Sequence, residues 1–212
     1  MDDATDWFEQ LYAQADAGEA VVPWARDEPN PLLEAWTQAR GLAGGGRRAL
    51  VVGSGLGDDA EHLASLGFDT VAFDIAPSAI AASRRRFPDS AVNYVVADLL
   101  DPPAAWRGAY DFVLESITVQ ALPPRLHPAA IAAVAALVAP GGTLLVISGG
   151  REEGEHADGP PWPLTRAEID AFAAGGLRAV RVEDLRDPGD PGYRRWRAEY
   201  ERPGRASGGG AW

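Results

Sequence analysis

Cysteine is absent from the chain, which excludes disulfides, zinc–thiolate sites, iron–sulfur clusters and a cysteine nucleophile. Lysine is absent too: all 19 basic residues are arginine, so the Tyr–Lys pair of many hydride-transfer enzymes cannot be present. Positive charge is scarce beside 31 Asp and Glu, and the formal charge of −12 makes the chain a poor partner for nucleic-acid phosphates. The three histidines form no Ser-His-Asp or metal-ligand constellation. Long apolar runs are missing as well. The longest, Ala129 to Ala139, is too short to span a bilayer. The acidic start, Met1-Asp2-Asp3, leads into no apolar segment of a secretory signal. These absences predict a cytoplasmic protein with no metal, nucleic-acid or membrane partner.

What is present is enough apolar residue, 46% of 212, to build one domain over residues 1–212. Short apolar runs alternate with helical stretches. Strands are predicted at Ala49–Val52, Thr70–Phe73, Asn93–Val96, Tyr110–Leu114 and Gly142–Ser148. Helices are predicted at Asp58–Leu66, Ser78–Arg86 with Ser78 as its cap, and Pro128–Val138. A helix over Thr165–Ala174 and strands at Leu177–Glu183 and Arg194–Glu201 complete the pattern, the last two able to pair antiparallel at an edge. Such alternation means a parallel sheet with helices on both faces. Residues 1–40, with helices at Asp6–Ala17 and Pro31–Ala39, read as a helical cover on a core of residues 41–203, and residues 204–212 as a flexible tail. The Gly/Pro/acid-rich stretch Arg151–Pro163 follows the fifth strand, where ligands of open α/β sheets lie, and reads as a lid.

The densest signal is Gly53-Ser54-Gly55-Leu56-Gly57, between a strand and a helix. Glycine permits the tight turn and lets backbone N–H groups approach a ligand. Two acids stand at the next strand ends. Asp74 can accept from ribose hydroxyls and Asp98 from an adenine amino group, which together indicate a nucleoside cofactor. As a ligand-facing carboxylate, Asp74 is expected to be dispensable to the ligand-free fold. The GxGxG spacing, with Asp58-Asp59 opening the helix, disfavours a pyrophosphate and suits a ligand bearing an ammonium and a sulfonium. That points to S-adenosylmethionine rather than NAD.

With Ala97-Asp98-Leu99, Tyr110-Asp111-Phe112-Val113 and Ala139-Pro140-Gly141-Gly142 added, residues 20 to 200 resemble the class I S-adenosylmethionine-dependent methyltransferases. The resemblance implies a Rossmann-like, doubly wound, seven-stranded, mostly parallel sheet whose last strand is antiparallel. It implies cofactor contacts from Gly53, Ser54, Gly55, Gly57, Asp74, Ile75, Asp98 and Leu99. Many members carry an acid two residues before the first glycine. Here that position is Val51, and Asp58 or Glu115 is the expected substitute partner for the cofactor's amino group.

Within that superfamily, Pro23-Trp24, Glu28-Pro29-Asn30-Pro31, the stretch Glu115–Pro124 and Gly159-Pro160-Pro161-Trp162 are similar to the thiopurine S-methyltransferase and thiol/halide methyltransferase group. This implies Trp24 over the cofactor and Gln120, His156 and Trp162 near a small-molecule acceptor, with Glu115 and His156 as candidate bases. Each has a plainer reading: Trp24 as a core anchor, Trp162 as a pin for its loop, His156 as a solvated loop residue. Displacement at a sulfonium needs positioning more than a base, which suits a thiol. The alternatives are N- or O-methylation of a small metabolite, an NAD-binding oxidoreductase, or a cofactor-binding domain without catalysis.

Overall fold

Strands that are apolar on both sides have no polar face to offer water, so they settle side by side under helices. In the computed structural model, which describes residues 6–21 and 27–204, the chain opens with α1 (Asp6–Asp16) and α2 (Pro31–Ala39). It then alternates through β1 (Arg48–Val52), α3 (Asp58–Ser65), β2 (Asp69–Asp74), α4 (Pro77–Arg86), β3 (Asn93–Val96) and β4 (Tyr110–Ser116). It closes with α5 (His127–Leu137), β5 (Val138–Gly149), α6 (Arg166–Ala171), β6 (Arg178–Arg186) and β7 (Arg194–Glu201). The strands form one seven-stranded sheet in the order β3-β2-β1-β4-β5-β7-β6. Strands β1 to β5 pair in parallel, while β7 runs antiparallel to both β5 and β6. This is the predicted α/β doubly wound architecture, including its antiparallel last strand.

Successive strand residues face opposite sides, and each side has its own core. Leu50, Val52, Phe73, Val113 and Val146 pack with Ile131 and Val134 of α5 and Phe172. Ala49, Val51, Ala72, Leu114 and Ile147 pack with Leu33 and Trp36 of α2, Leu63 of α3 and Ile80 of α4. A sheet sealed on both faces leaves its strand ends as the place where side chains meet solvent and ligand.

Two local expectations change. Strand β4 runs to Ser116, and β5 begins at Val138, taking in Pro140-Gly141-Gly142 across a register shift. Ser78 does not cap α4: the N-cap is Ala76 without a side-chain bond, and Pro77 fills the first turn. Instead, Ser78 N and Oγ donate to Glu9 of α1 at 3.1 and 2.9 Å. A carboxylate from a neighbouring helix thus answers the free N–H groups and positive end of α4, and ties α1 across the strand ends. The proposed tail beyond Gly204 lies outside the described residues, and no described helix is long and apolar enough to cross a membrane.

Candidate active site

The carboxyl ends of β1, β2 and β3 meet the start of β7 around a cavity of about 280 Å³, within reach of the size of small-ligand sites. Asp74, Ile75, Asp98, Leu99 and Gly53 line it from the sheet. Ser116 to Thr118 and Gln120 to Leu122, after β4, form the middle; Arg195 stands at the far end. Trp7, Phe8 and Tyr12 of α1 and Pro160 and Pro161 of the long loop also contribute to its wall. A smaller recess adjoins it, lined by Glu28, Asn30, Ser54, Gly55, Asp58 and Asp59 among others.

Asp74 holds its surroundings together. Its Oδ2 accepts the Gly55 N–H at 2.9 Å and its Oδ1 the Ala76 N–H at 3.0 Å, and it is 6% exposed. Burial raises its pKa above the ordinary carboxylate value, and the backbone N–H donors act against that rise. A carboxylate has about four lone-pair sites, so capacity remains for a ligand hydroxyl. The expectation that Asp74 serves only a ligand is therefore corrected: it also clamps the glycine loop.

The glycines serve the tight turn expected of them, and close packing against the protein itself adds a second requirement. Gly53, Gly55 and Gly57 have φ of 59°, 53° and 95°, the left-handed region that other L-residues adopt at a cost. A Cβ on them would strike the protein itself: Thr118 Oγ1 at 2.4 Å, Tyr12 Oη at 2.9 Å and Tyr94 Oη at 2.5 Å, respectively. Gly57 lines neither hollow and instead caps α3. Ser54 Oγ is buried without a hydrogen-bond partner among the described residues, a polar atom facing a recess that can supply one.

The acids that open α3 behave differently from each other. Asp58 is held by Arg86 through two 2.8 Å bonds. Asp59 Oδ1 accepts the Asn30 N–H at 2.7 Å, Ser116 also bonds to its carboxylate, and burial raises its pKa. Asn30 caps α2 by accepting the Leu32 N–H at 3.0 Å and donates to Ser116 Oγ at 3.2 Å. The Glu28-to-Pro31 stretch is thereby fixed beside the glycine loop.

Glu115 does not reach either hollow. It is fully buried beneath them, and its Oε1 accepts the N–H groups of Thr118 and Val119 at 2.8 and 2.9 Å. That bond set fixes a strained turn, because Ile117, a β-branched residue, has φ of 68°. Burial pushes the Glu115 pKa up to about 7, and among the described residues no donor reaches its Oε2. A raised acid contributes stability that is full below its unfolded pKa and is lost as pH rises through its folded one. Between pH 5 and 8 the wild type should lose up to about 3 kcal/mol from this group, and Glu115→Gln should remove that component from the pH dependence of urea midpoints. Asp59 and Asp74 act with the same sign, so the difference between the two proteins isolates Glu115.

The remaining predicted residues separate. Gln120 lines the cavity, but its Oε1 accepts the Gly149 N–H and its carbonyl accepts the Trp162 N–H at 2.6 Å, bracing the long loop against β5. Trp162 packs on Gly159, outside the lining. His156 is 87% exposed, is paired with Asp158 at 3.0 Å and does not line the cavity. Trp24 lies outside the described residues. Sequence reasoning missed Trp7, Phe8, Tyr12 and Arg195, and of the two acids that open α3 it named Asp58 rather than Asp59 as a partner for the amino group.

Comparison with known proteins finds similar sequences and a similar fold. The methyltransferase domain family matches residues 49–142, from β1 into β5. Thiocyanate methyltransferase 1 of Arabidopsis thaliana is 26% identical over 169 residues, covering 78% of this chain and 73% of its own length. Probable thiol methyltransferase 2 of the same plant is 24% identical over 194 residues, covering 87% and 84%. The structure of N-methyltransferase NodS from Bradyrhizobium japonicum, with S-adenosyl-L-homocysteine, superposes with a TM-score of 0.70 at 20% identity, covering 95% of this chain and all of that one.

Proposed function

Starting from a chain that is a class I S-adenosylmethionine-dependent methyltransferase, we propose that it methylates the sulfur of a small thiol. The observation that carries this reading is the acceptor end of the cavity. Around Ile117, Ala121, Leu122, Pro160 and Pro161 no described side chain stands as a base, since Glu115 is turned to the backbone and His156 faces solvent. An acceptor there must ionise unaided. Thiols, with pKa values near 8.5, do so close to neutral pH, whereas alcohols do not. The curated relatives named for thiocyanate and thiols agree with a sulfur acceptor.

The residues fit the cofactor. Asp74 would take ribose hydroxyls on its remaining lone pairs, Asp98 and Leu99 would meet the adenine, and Ile75 would pack beside it. The Gly53–Gly55 loop with Ser54 Oγ would carry the amino-acid end in the smaller recess. There Asp59, not Asp58 or Glu115, takes the place of the acid that Val51 lacks, because Asp58 is paired with Arg86. When bound, S-adenosylmethionine supplies a methyl group on a sulfonium and leaves as a neutral thioether. The chain's own part is alignment and dryness: Trp7, Phe8 and Tyr12 of α1 and the Pro160-Pro161 segment cover the strand ends and exclude water. The thiol's proton goes to solvent, and the thiolate's charge cancels that of the sulfonium as the new carbon–sulfur bond forms. Of the N-terminal segment, α1 thus acts as cover, whereas α2 packs into the core with residues 41–203.

The test is the pH dependence of the rate at subsaturating acceptor for a series of thiols. The midpoint should track each thiol's own pKa, about one pH unit per unit. A midpoint that stays fixed across the series, or turnover only with amines or phenols, overturns the sulfur assignment.

A further inference from the structure

Arg195 is the one cationic side chain among the described residues that line the main cavity. Strand β7 is antiparallel, so its beginning lies beside the end of β5, and Arg195 pairs with Gly149. One edge of its guanidinium is built in. Its Nε donates to Asp187 Oδ2 at 2.6 Å, and the Tyr193 ring lies 4.5 Å from its central carbon. Asp187 is held in turn by the Gly189 and Asp190 N–H groups at 2.9 and 3.2 Å. Asp187's pKa is lowered: burial alone would raise it, but the Arg195 bond and charge and these backbone donors outweigh that. The other edge is open. Neither Nη1 nor Nη2 has a partner among the described residues, although the side chain is only 13% exposed. A guanidinium so enclosed ordinarily spends its donors.

We infer that the methyl acceptor carries a carboxylate and that Arg195 binds it through the open Nη edge. Two adjacent N–H groups in one plane match the two oxygens of a carboxylate, a fit that a single sulfur atom does not use. Position agrees. From β1, which ends in the glycine loop, three strand steps of about 4.8 Å lead across β4 and β5 to β7, roughly 14 Å in all, part of which the arginine side chain spans. The reacting atom at the glycine-loop end and a carboxylate at Arg195 are therefore separated by about the length of a substituted ring. The chain's formal charge of −12 repels anions, so an anionic acceptor needs a specific cation inside the site. The word acceptor rests on the methyltransferase reading, whereas the carboxylate site itself does not.

The experiment uses the full chain saturated with S-adenosylhomocysteine and calorimetric titration of benzoate against benzamide, neither of which can be methylated at sulfur. Benzoate should bind at least 30-fold tighter. Arg195→Gln should erase the difference, and Arg195→Lys should retain part of it. Equal affinities in the wild type, or no measurable binding by either compound, overturns the proposal without recourse to any variant. So does a preference that persists in Arg195→Gln. Turnover of 4-mercaptobenzoate and 4-mercaptobenzamide gives the second arm. Arg195→Gln should raise KM for the acid at least 30-fold and for the amide less than threefold. An equal loss for both, with a shifted thiol midpoint, means that Arg195 pairs with the thiolate and overturns the carboxylate assignment. If no thiol turns over but benzoate still binds through Arg195, the sulfur reading fails and the carboxylate site stands.

Discussion

Asp74→Ala is expected to weaken S-adenosylhomocysteine binding about 100-fold and to destabilise the ligand-free protein by about 2–4 kcal/mol. Both effects come from one carboxylate. Its Oδ1 and Oδ2 accept the N–H groups of Ala76 and Gly55, and it lines the cavity where ribose hydroxyls would arrive. Removing it leaves backbone donors with no acceptor in a region almost closed to solvent, and lets a loop of left-handed glycines relax. Asp74→Asn should fall close to the alanine variant, because the amide nitrogen must face one of the two N–H groups. Calorimetric titration and thermal melts of the free protein measure the two losses separately. A lower melting temperature with unchanged affinity would make Asp74 a loop clamp and nothing more. Unchanged affinity and unchanged melting would remove it from both roles.

The strands were readable because burial on both faces demands continuous apolar runs, as in Leu50-Val51-Val52. Asp74 and Asp98 were readable because a parallel sheet opens at its carboxyl ends, and an acid there faces the crevice. Residues whose roles depend on distant packing were not. Trp7, Phe8 and Tyr12 lie in a segment legible as a helical cover but with no sign of where it docks; the Ser78 bonds to Glu9 and the packing of Tyr12 with Ala76 and Ala79 bring that helix over the site. Ile117 carries no signal of its φ of 68°, since a β-branched residue is the least expected there. Its conformation is imposed by its N–H donating to the Ile147 carbonyl at 2.8 Å and by the Glu115 bonds to Thr118 and Val119. Glu115 misled for a related reason. An acid at the end of an apolar strand reads as chemistry, yet here it shapes the turn that the chemistry needs. Arg195 was hidden in Arg194-Arg195-Trp196-Arg197, legible only as the start of an edge strand among like-charged neighbours.

Asp59→Asn should weaken S-adenosylhomocysteine binding 30-fold or more while changing binding of 5′-methylthioadenosine less than threefold. The two ligands share adenine, ribose and sulfur, and differ in the amino-acid end that carries the ammonium. Asp58 is committed to Arg86 and Glu115 to backbone N–H groups, so Asp59 is the half-buried acid left in the smaller recess to meet that ammonium. Burial raises its pKa in the free protein, and an arriving cation favours the charged form, so binding should release a proton from the fraction that is neutral. Calorimetry in buffers of different ionisation enthalpy reads that release directly: it should appear with S-adenosylhomocysteine below neutral pH and disappear in Asp59→Asn. The Asn30 N–H and Ser116 Oγ that now bond to Asp59 can bond to an amide oxygen, so the variant should fold and melt within a few degrees of the wild type. Equal losses for both ligands would show a distorted glycine loop instead. No loss for either would pass the ammonium to Glu28, the third carboxylate lining the recess beside Asp59 and the Arg86-bound Asp58, and Glu28→Gln would then carry the effect.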